Sequence, residues 1–370
     1  MVVAAGGIVT ACGAVLAAPT NARDAASQAW PPFTLVAALL AIGAAAHAAG
    51  LFDAAGRLLG RLGGSALLLL CAVLAVVATA TVVLNLDTAA AFLTPVAVIA
   101  ARRRGIREDA FLYGTLFMAN AASLLLPGSN LTNLLVLGHE HVNGAVFASR
   151  MFPAWVAAVL VTAGFVIVWR RSDLRVERPI VEAEVPPRLS WAAVALVGAA
   201  AVPVVVLDSP SLAVLGVAVV GVVLALAGGH LQGRRLLEAV DPAVLIGLFG
   251  VAVALGTLAR SWSAPNRLLE SSNSGVTVVV AALGAVVVNN LPAAVLFTAR
   301  PVVHPRALLL GLNLGPNLAV TGSLSAFVWI KAARTVGAEP DWRRVTRLGA
   351  MLVPLSLAAA AGALALFGGS

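Results

Sequence analysis

The sequence predicts an all-α polytopic membrane protein with an inverted repeat, two re-entrant hairpins and two broken helices. Hydrophobic residues make up 61% of the 370 residues and charged residues 11%, a composition incompatible with a soluble domain. Apolar runs recur along the chain, each of the roughly 20 residues needed to cross about 30 Å of hydrocarbon. Polar motifs interrupt these runs twice in the same order.

Runs with few or no charges define the candidate spans. They cover 1–22, 30–52, 58–102, 110–139, 151–169, 189–207, 211–229, 242–259, 271–299, 307–330 and 348–370. The first run lacks a basic leading region, so a span is favoured over a secretory signal segment. Arg23 and its neighbours are expected to form the loop that follows it.

Four runs contain polar breaks. Segments 65–101 and 271–300 are predicted to be hairpins that enter the membrane and return, bent at Asn85 and Asn289. Segments 107–137 and 306–330 are predicted to be helices broken at Gly128 and Gly315. Irregular backbone at membrane depth is tolerated only against protein or a water-filled cavity, where amide and hydroxyl side chains satisfy it.

The basic residues predict the orientation. If both hairpins return to the side they enter, 18 of the 24 Lys and Arg residues lie on one side. The positive-inside rule then places the N-terminus in the cytoplasm of a bacterial inner membrane and the C-terminus outside. The six exceptions are Arg23, Arg150, Arg260, Arg267, Arg300 and Arg306.

The repeated order of motifs divides the chain. Residues 1–169 are predicted to form the first repeat, 170–207 a cytoplasmic linker with a connecting span, and 208–370 the second repeat. The connecting span reverses the second repeat relative to the first. Inverted repeats with broken helices that meet near the midplane are the architecture of secondary transporters.

Asp87 is the only one of the 16 Asp and Glu residues that cannot be assigned to a loop or a membrane edge. An ionisable group at that depth costs several kcal/mol in hydrocarbon and marks an ion or proton pathway. Asp87 is therefore the candidate for proton coupling.

Amide and hydroxyl side chains at the four breaks form the candidate binding site, because they can hydrogen-bond a small polar solute. A single Asn or Ser in a transmembrane helix usually joins helices, but the matched order in both halves favours a site. The candidate residues are Asn85, Thr88, Asn130, Thr132, Asn133, Asn289, Asn290, Asn313, Asn317 and Thr321. No Arg or Lys is expected within a span.

The ordered motifs resemble those of the arsenite efflux permeases. That family belongs to the ion transporter superfamily, together with sodium/proton antiporters and dicarboxylate carriers. The motifs are Asn85-Leu86-Asp87-Thr88-Ala89, Asn120-Ala121-Ala122-Ser123, Ser129-Asn130-Leu131-Thr132-Asn133, Val288-Asn289-Asn290-Leu291-Pro292, Leu314-Gly315-Pro316-Asn317 and Thr321-Gly322-Ser323-Leu324. The resemblance departs at Asn120 and Asn313, where the family often has Asp.

The resemblance implies export of arsenite or antimonite in exchange for protons. A sodium/proton antiporter or an organic-anion (dicarboxylate) carrier of the same superfamily is the alternative. No enzyme, nucleic-acid or metal site is expected: His139-Glu140-His141 lacks the spacing of a helix-borne zinc site. No cofactor is expected beyond a proton or sodium gradient, with sodium binding left open. Expected partners are the bilayer and a small inorganic solute; an ATPase subunit and a homodimer stay open.

Overall fold

The computed structural model describes residues 2–140, 142–175, 190–262 and 264–367. Within these ranges the secondary structure is helical, with no strands, which confirms the predicted all-α class. Five helical segments are long and apolar enough to cross a membrane: Pro19–Ala48, Ala66–Val83, Gly144–Trp169, Gly233–Ser261 and Trp342–Phe367. Four shorter apolar helices accompany them.

Eight helices form the first half. They are α1 (Val2–Ala17), α2 (Pro19–Ala48), α3 (Leu51–Arg61), α4 (Ala66–Val83), α5 (Leu86–Arg103), α6 (Asp109–Ala122), α7 (Leu131–Val136) and α8 (Gly144–Trp169). Helices α4 and α5 form the first hairpin, which bends at Leu84 and Asn85. Helices α6 and α7 are the two parts of the first broken helix.

The described part of the remaining chain contains ten helices. They are α9 (Trp191–Val206), α10 (Ser211–Ala227), α11 (Gly233–Val240), α12 (Pro242–Ser261), α13 (Ala264–Glu270), α14 (Ser274–Val288), α15 (Asn290–Phe297), α16 (Pro305–Leu314), α17 (Leu324–Thr335) and α18 (Trp342–Phe367). The second hairpin, α14 with α15, bends at Asn289. Two short turns of 3-10 helix, Gly315–Leu318 and Val320–Gly322, separate α16 from α17.

The two halves pack in a matched pattern. Helix α1 packs on α12 and α10 packs on α2, while α2 and α12 contact each other, as do α8 and α18. The first arm of each hairpin packs on its own broken helix, α4 on α6 and α14 on α16. The second arm crosses over: α5 packs on α17 and α15 on α7. Each hairpin therefore contacts both broken helices.

Gly349 allows α18 to approach the second break. A Cβ atom at this position would lie 2.1 Å from the main-chain oxygen of Asn317, a distance that no side chain can occupy. Helix α18 therefore packs directly against the second break, in addition to the helices that carry the site.

The structure corrects the loop that was expected after the first run. Arg23 and Asp24 lie inside α2 rather than in a loop, because Pro19 starts the helix directly after α1. Thirty residues of helix measure about 45 Å, longer than the hydrocarbon layer, so the charged first turns extend beyond it. Arg260 lies in the last turn of α12, directly after the predicted run 242–259. Residues 176–189, which hold most of the predicted linker, and His141 lie outside the described residues.

Candidate functional site

Four helices begin at the predicted breaks, and a polar side chain caps each of them. Asn85 Oδ1 accepts from the Thr88 N–H at 2.7 Å, Asn130 Oδ1 from Thr132 at 3.1 Å, and Asn289 Oδ1 from Leu291 at 3.3 Å. Ser323 Oγ accepts from the Ser325 N–H at the start of α17. An N-cap of this kind stabilises a helix by about 1 kcal/mol, which explains why the breaks carry Asn and Ser.

The tip of the first hairpin carries the carboxylate of Asp87. Asp87 is the second residue of α5, is half-buried, and makes no hydrogen bond or ion pair with any described residue. Three nearby polar atoms are buried without a hydrogen-bond partner in the described structure: Thr81 Oγ1, Asn85 Nδ2 and Thr88 Oγ1. Each such group costs about 1–3 kcal/mol when left unsatisfied, so their concentration at one tip is unusual.

The tip lies at the level of the second break. Arg102 near the end of α5 donates to the main-chain oxygens of Val336 and Gly337, just beyond α17, so the two helices end side by side. Helix α5 has 18 residues and α17 has 12, a difference that corresponds to about 9 Å of helix. The start of α5 therefore extends past the start of α17, to the break that precedes it.

Amide side chains join the two broken helices at the centre of the molecule. Asn120 Nδ2 donates to Asn317 Oδ1 at 2.8 Å. Asn313 Oδ1 accepts from Ser123 Oγ and from Asn130 Nδ2, both at 2.7 Å, and its Nδ2 donates to Asn133 Oδ1 at 2.8 Å. We call these six residues, each at most 3% exposed, the amide cluster: Asn120, Ser123, Asn130, Asn133, Asn313 and Asn317.

Each hairpin tip is tied to the break of its own half. Ser129 Oγ donates to the main-chain oxygen of Val82 at 3.3 Å in the first half, and Asn289 Nδ2 donates to that of Thr321 at 2.9 Å in the second. Because the amide cluster joins the two breaks, hydrogen bonds link both hairpin tips to both broken helices.

The second tip differs from the first in its backbone. Asn289 has φ +77° and ψ 150°, a region of the backbone map occupied almost only by glycine, whereas Asn85 is extended. Asn290 follows at the start of α15; it is 4% exposed, and its side chain makes no hydrogen bond with other described residues.

The structure brings together four of the predicted site residues, Asn130, Asn133, Asn313 and Asn317, in the amide cluster. Asn85, Asp87 and Thr88 lie at one tip, and Asn289, Asn290 and Thr321 lie around the other. Thr132 lies in α7, and its buried Oγ1 has no hydrogen-bond partner in the described part of the chain. Sequence reasoning did not propose Asn120 and Ser123 as site residues. Their motif, Asn120-Ala121-Ala122-Ser123, matched the family pattern and was the signal that could have identified them.

Charged side chains do not reach the amide cluster in the described ranges. Arg260 instead donates to Gln28 Oε1 at 2.7 Å and to the Gly256 main-chain oxygen at 3.0 Å. Gln28 Nε2 donates to the Thr298 main-chain oxygen at 2.9 Å. This arginine therefore joins α2, α12 and the end of α15. Its guanidinium makes these hydrogen bonds and does not contact the amide cluster.

Apolar helices that cross the membrane repeatedly, with capped helix breaks that meet in a buried polar cluster, define a multi-pass membrane transporter. The family model described as citrate transporter matches residues 2–315, and the chain belongs to that family. It is 24% identical over 312 residues to the arsenical pump membrane protein of Escherichia coli, covering 76% of this chain and 73% of that protein. The Yersinia enterocolitica protein of the same name is 23% identical over 315 residues, with the same shares covered.

A solved structure supports the fold. The chain is similar to the YdaH transporter of Alcanivorax borkumensis, with a TM-score of 0.53 and 17% identity, over 94% of this chain and 87% of that one. At this identity the likeness concerns the fold alone. The family match identifies the protein as a secondary transporter.

Proposed function

We propose that the chain exports arsenite or antimonite across the bacterial inner membrane in exchange for protons. The observation that carries this proposal is the chemistry of the amide cluster: five amides and a hydroxyl, with a single carboxylate at the adjacent hairpin tip and no cation in contact. Amides and hydroxyls can donate and accept at once, which suits a neutral hydroxylated solute such as arsenous acid. The arsenical pump proteins at 23–24% identity support the same substrate class.

Unsatisfied polar atoms indicate where such a solute would bind. Asn120 Oδ1 and Thr132 Oγ1 are buried without a hydrogen-bond partner among the described residues, as are the three atoms near the first tip. At the second tip, the Asn290 side chain likewise makes no hydrogen bond within the described ranges. A solute with several hydroxyl groups that binds between the tips and the cluster would satisfy groups that the protein leaves unpaired.

Proton coupling is assigned to Asp87. Its carboxylate has no ion-pair partner in the described chain, so it is free to gain and lose a proton. Asn120 and Asn313 are amides and cannot titrate. A single titratable carboxylate beside the site makes proton and solute compete for one region, which is the simplest basis for exchange.

The matched packing supports an inverted repeat in which the hairpins are re-entrant. Each hairpin's second arm crosses to the other half, as expected when two equivalent units face each other from opposite sides. The distribution of Lys and Arg supports an N-terminus in the cytoplasm.

An organic-anion carrier is the second candidate, and the family match to citrate transporters favours it. Helix starts carry partial positive charge, so the capped starts of α5 and α15 could hold carboxylates without a cation. Citrate carries several negative charges, and the amide cluster offers no arginine to balance them. We therefore rank this candidate below arsenite.

Resistance and transport assays test the substrate. Cells that lack their own arsenite exporters should survive arsenite better with this chain than without it. Asn290→Ala should reduce that protection by lowering the affinity several-fold, since one hydrogen bond contributes about 0.5–1.5 kcal/mol. Because Asn290 makes no side-chain bond in the described protein, its loss should leave the fold intact.

Asn143→Ala provides the matched control, because Asn143 only caps the exposed start of α8. It should protect cells as well as the wild type at equal expression. Equal arsenite sensitivity with and without the wild-type chain, combined with citrate uptake, would replace arsenite by the organic-anion alternative and leave the fold argument intact.

A further inference from the structure

A groove of about 680 Å³ lies between α9 and α10, with α2 along one side. Small residues line it, among them Ala45, Ala193, Gly216 and Gly221, and its surface is mostly apolar. The volume falls within the range of about 300–1,000 Å³ that is usual for small-molecule sites. It lies apart from the amide cluster and from both hairpin tips.

The helices around the groove leave it open to the membrane. On α9, Trp191 and Val202 are exposed by 75% and 62%, so much of this helix faces lipid. On α10, a Cβ atom at Gly216 would meet no atom within 4 Å. A hydrocarbon chain would therefore enter the groove from the bilayer side.

One end of the groove is basic. His230 lines it, and α11 begins three residues later with Arg234 and Arg235 and packs on α2. Arg234 pairs with Glu238 at 2.8 Å. Arg235 is exposed and has no ion-pair partner in the part of the chain that the structure describes. This end lies on the side where most of the Lys and Arg residues are predicted.

We propose that this groove binds one anionic phospholipid, with an acyl chain between α9 and α10 and the phosphate beside His230 and Arg235. The charge pattern favours a lipid over a second copy of the chain, because an apolar channel with one basic end matches a hydrocarbon chain with one anionic head. Basic residues at the ends of grooves between transmembrane helices recognise anionic lipids in this way. The proposal does not depend on the transported solute.

Two substitutions separate the parts of the site. Gly216→Leu places a bulky side chain in the groove, where a Cβ atom meets nothing within 4 Å, and Gly164→Leu on α8 is its control, since a Cβ there also meets nothing within 4 Å. Arg235→Ala removes the free cation, and Arg171→Ala removes an exposed arginine from the predicted same side. Neither test residue belongs to the amide cluster or the hairpin tips.

The experiment is native mass spectrometry of the purified protein titrated with phosphatidylglycerol or phosphatidylcholine, with size-exclusion chromatography to check folding. The wild type should retain one phosphatidylglycerol more tightly than phosphatidylcholine. Arg235→Ala should weaken its binding about fivefold, the contribution of one basic residue near an anionic membrane surface. Gly216→Leu should abolish retention, while both controls should match the wild type.

Phosphatidylglycerol retention that is equal in the wild type, Gly216→Leu and Arg235→Ala would overturn the proposal. Equal retention of the two lipids by the wild type would overturn the assignment of an anionic head. A shift from dimer to monomer in Gly216→Leu without loss of bound lipid would show instead that a second copy occupies the groove.

Discussion

The Asn120 side-chain amide donates to the Asn317 side-chain oxygen at 2.8 Å, across 197 residues of sequence. This bond joins α6 to the break that precedes α17, and so links the two halves at their broken helices. Asn313 makes the companion contacts with Ser123, Asn130 and Asn133. The relative position of the two halves therefore depends on paired amides.

A double-mutant cycle should reveal this coupling. Asn120→Ala and Asn317→Ala should each destabilise the protein, and together by less than their sum, with a coupling of about 0.5–1.5 kcal/mol. Unfolding in detergent gives the free energies. The control cycle pairs Asn120→Ala with Asn143→Ala, which should add. Additivity in both cycles would show that the Asn120–Asn317 contact contributes nothing to stability.

The sequence identified where helices break, and could not identify which amides pair. Asn, Gly and Pro within an apolar run indicate a local break in a helix. The breaks at Asn85, Gly128, Asn289 and Gly315 are therefore recognisable from the neighbouring sequence. The pairing of Asn120 with Asn317 depends on how the two halves face each other. Arg23 was misplaced for a related reason, since a charge ends a hydrophobic run without ending the helix that extends beyond the membrane.

Asn289 should tolerate glycine better than alanine. Its φ of +77° is strained for any residue with a Cβ atom, by about 1–3 kcal/mol, while both substitutions remove the same cap and the bond to Thr321. Asn289→Gly should therefore be more stable than Asn289→Ala by roughly that amount in thermal or denaturant unfolding. At Asn85, where the backbone is extended, the alanine variant should be at least as stable as the glycine variant. If glycine and alanine ranked in the same order of stability at both positions, strain at the second tip would be contradicted.

Gly43 should be required for the first tip to approach α2. A Cβ atom there would lie 2.6 Å from Thr88 Cγ2 and 3.1 Å from Thr88 Oγ1. Gly43→Ala should reduce transport several-fold at unchanged expression, because the tip must shift. Thr88→Ser removes the closer methyl group and keeps the hydroxyl, so the double variant Gly43→Ala with Thr88→Ser should regain transport. A double variant no better than Gly43→Ala would show that the contact is not the cause.

Cysteine labelling should establish the orientation. In a background with Cys12 and Cys71 replaced by Ala, Arg171→Cys should react with a membrane-impermeant maleimide only in everted vesicles. Asn143→Cys should react only in intact cells with a permeable outer membrane. The two positions flank α8, and labelling of both from one side would contradict the predicted topology and the inversion of the repeat.

Arsenite uptake into everted membrane vesicles under a proton gradient tests the central claim most directly. Vesicles with the wild-type chain should accumulate arsenite, a protonophore should abolish the uptake, and Asp87→Asn should reduce it to the level of vesicles without the chain while the protein remains folded. Citrate should not accumulate in either. Absence of arsenite uptake by the wild type, or undiminished uptake by Asp87→Asn, would contradict export of arsenite in exchange for protons through this carboxylate.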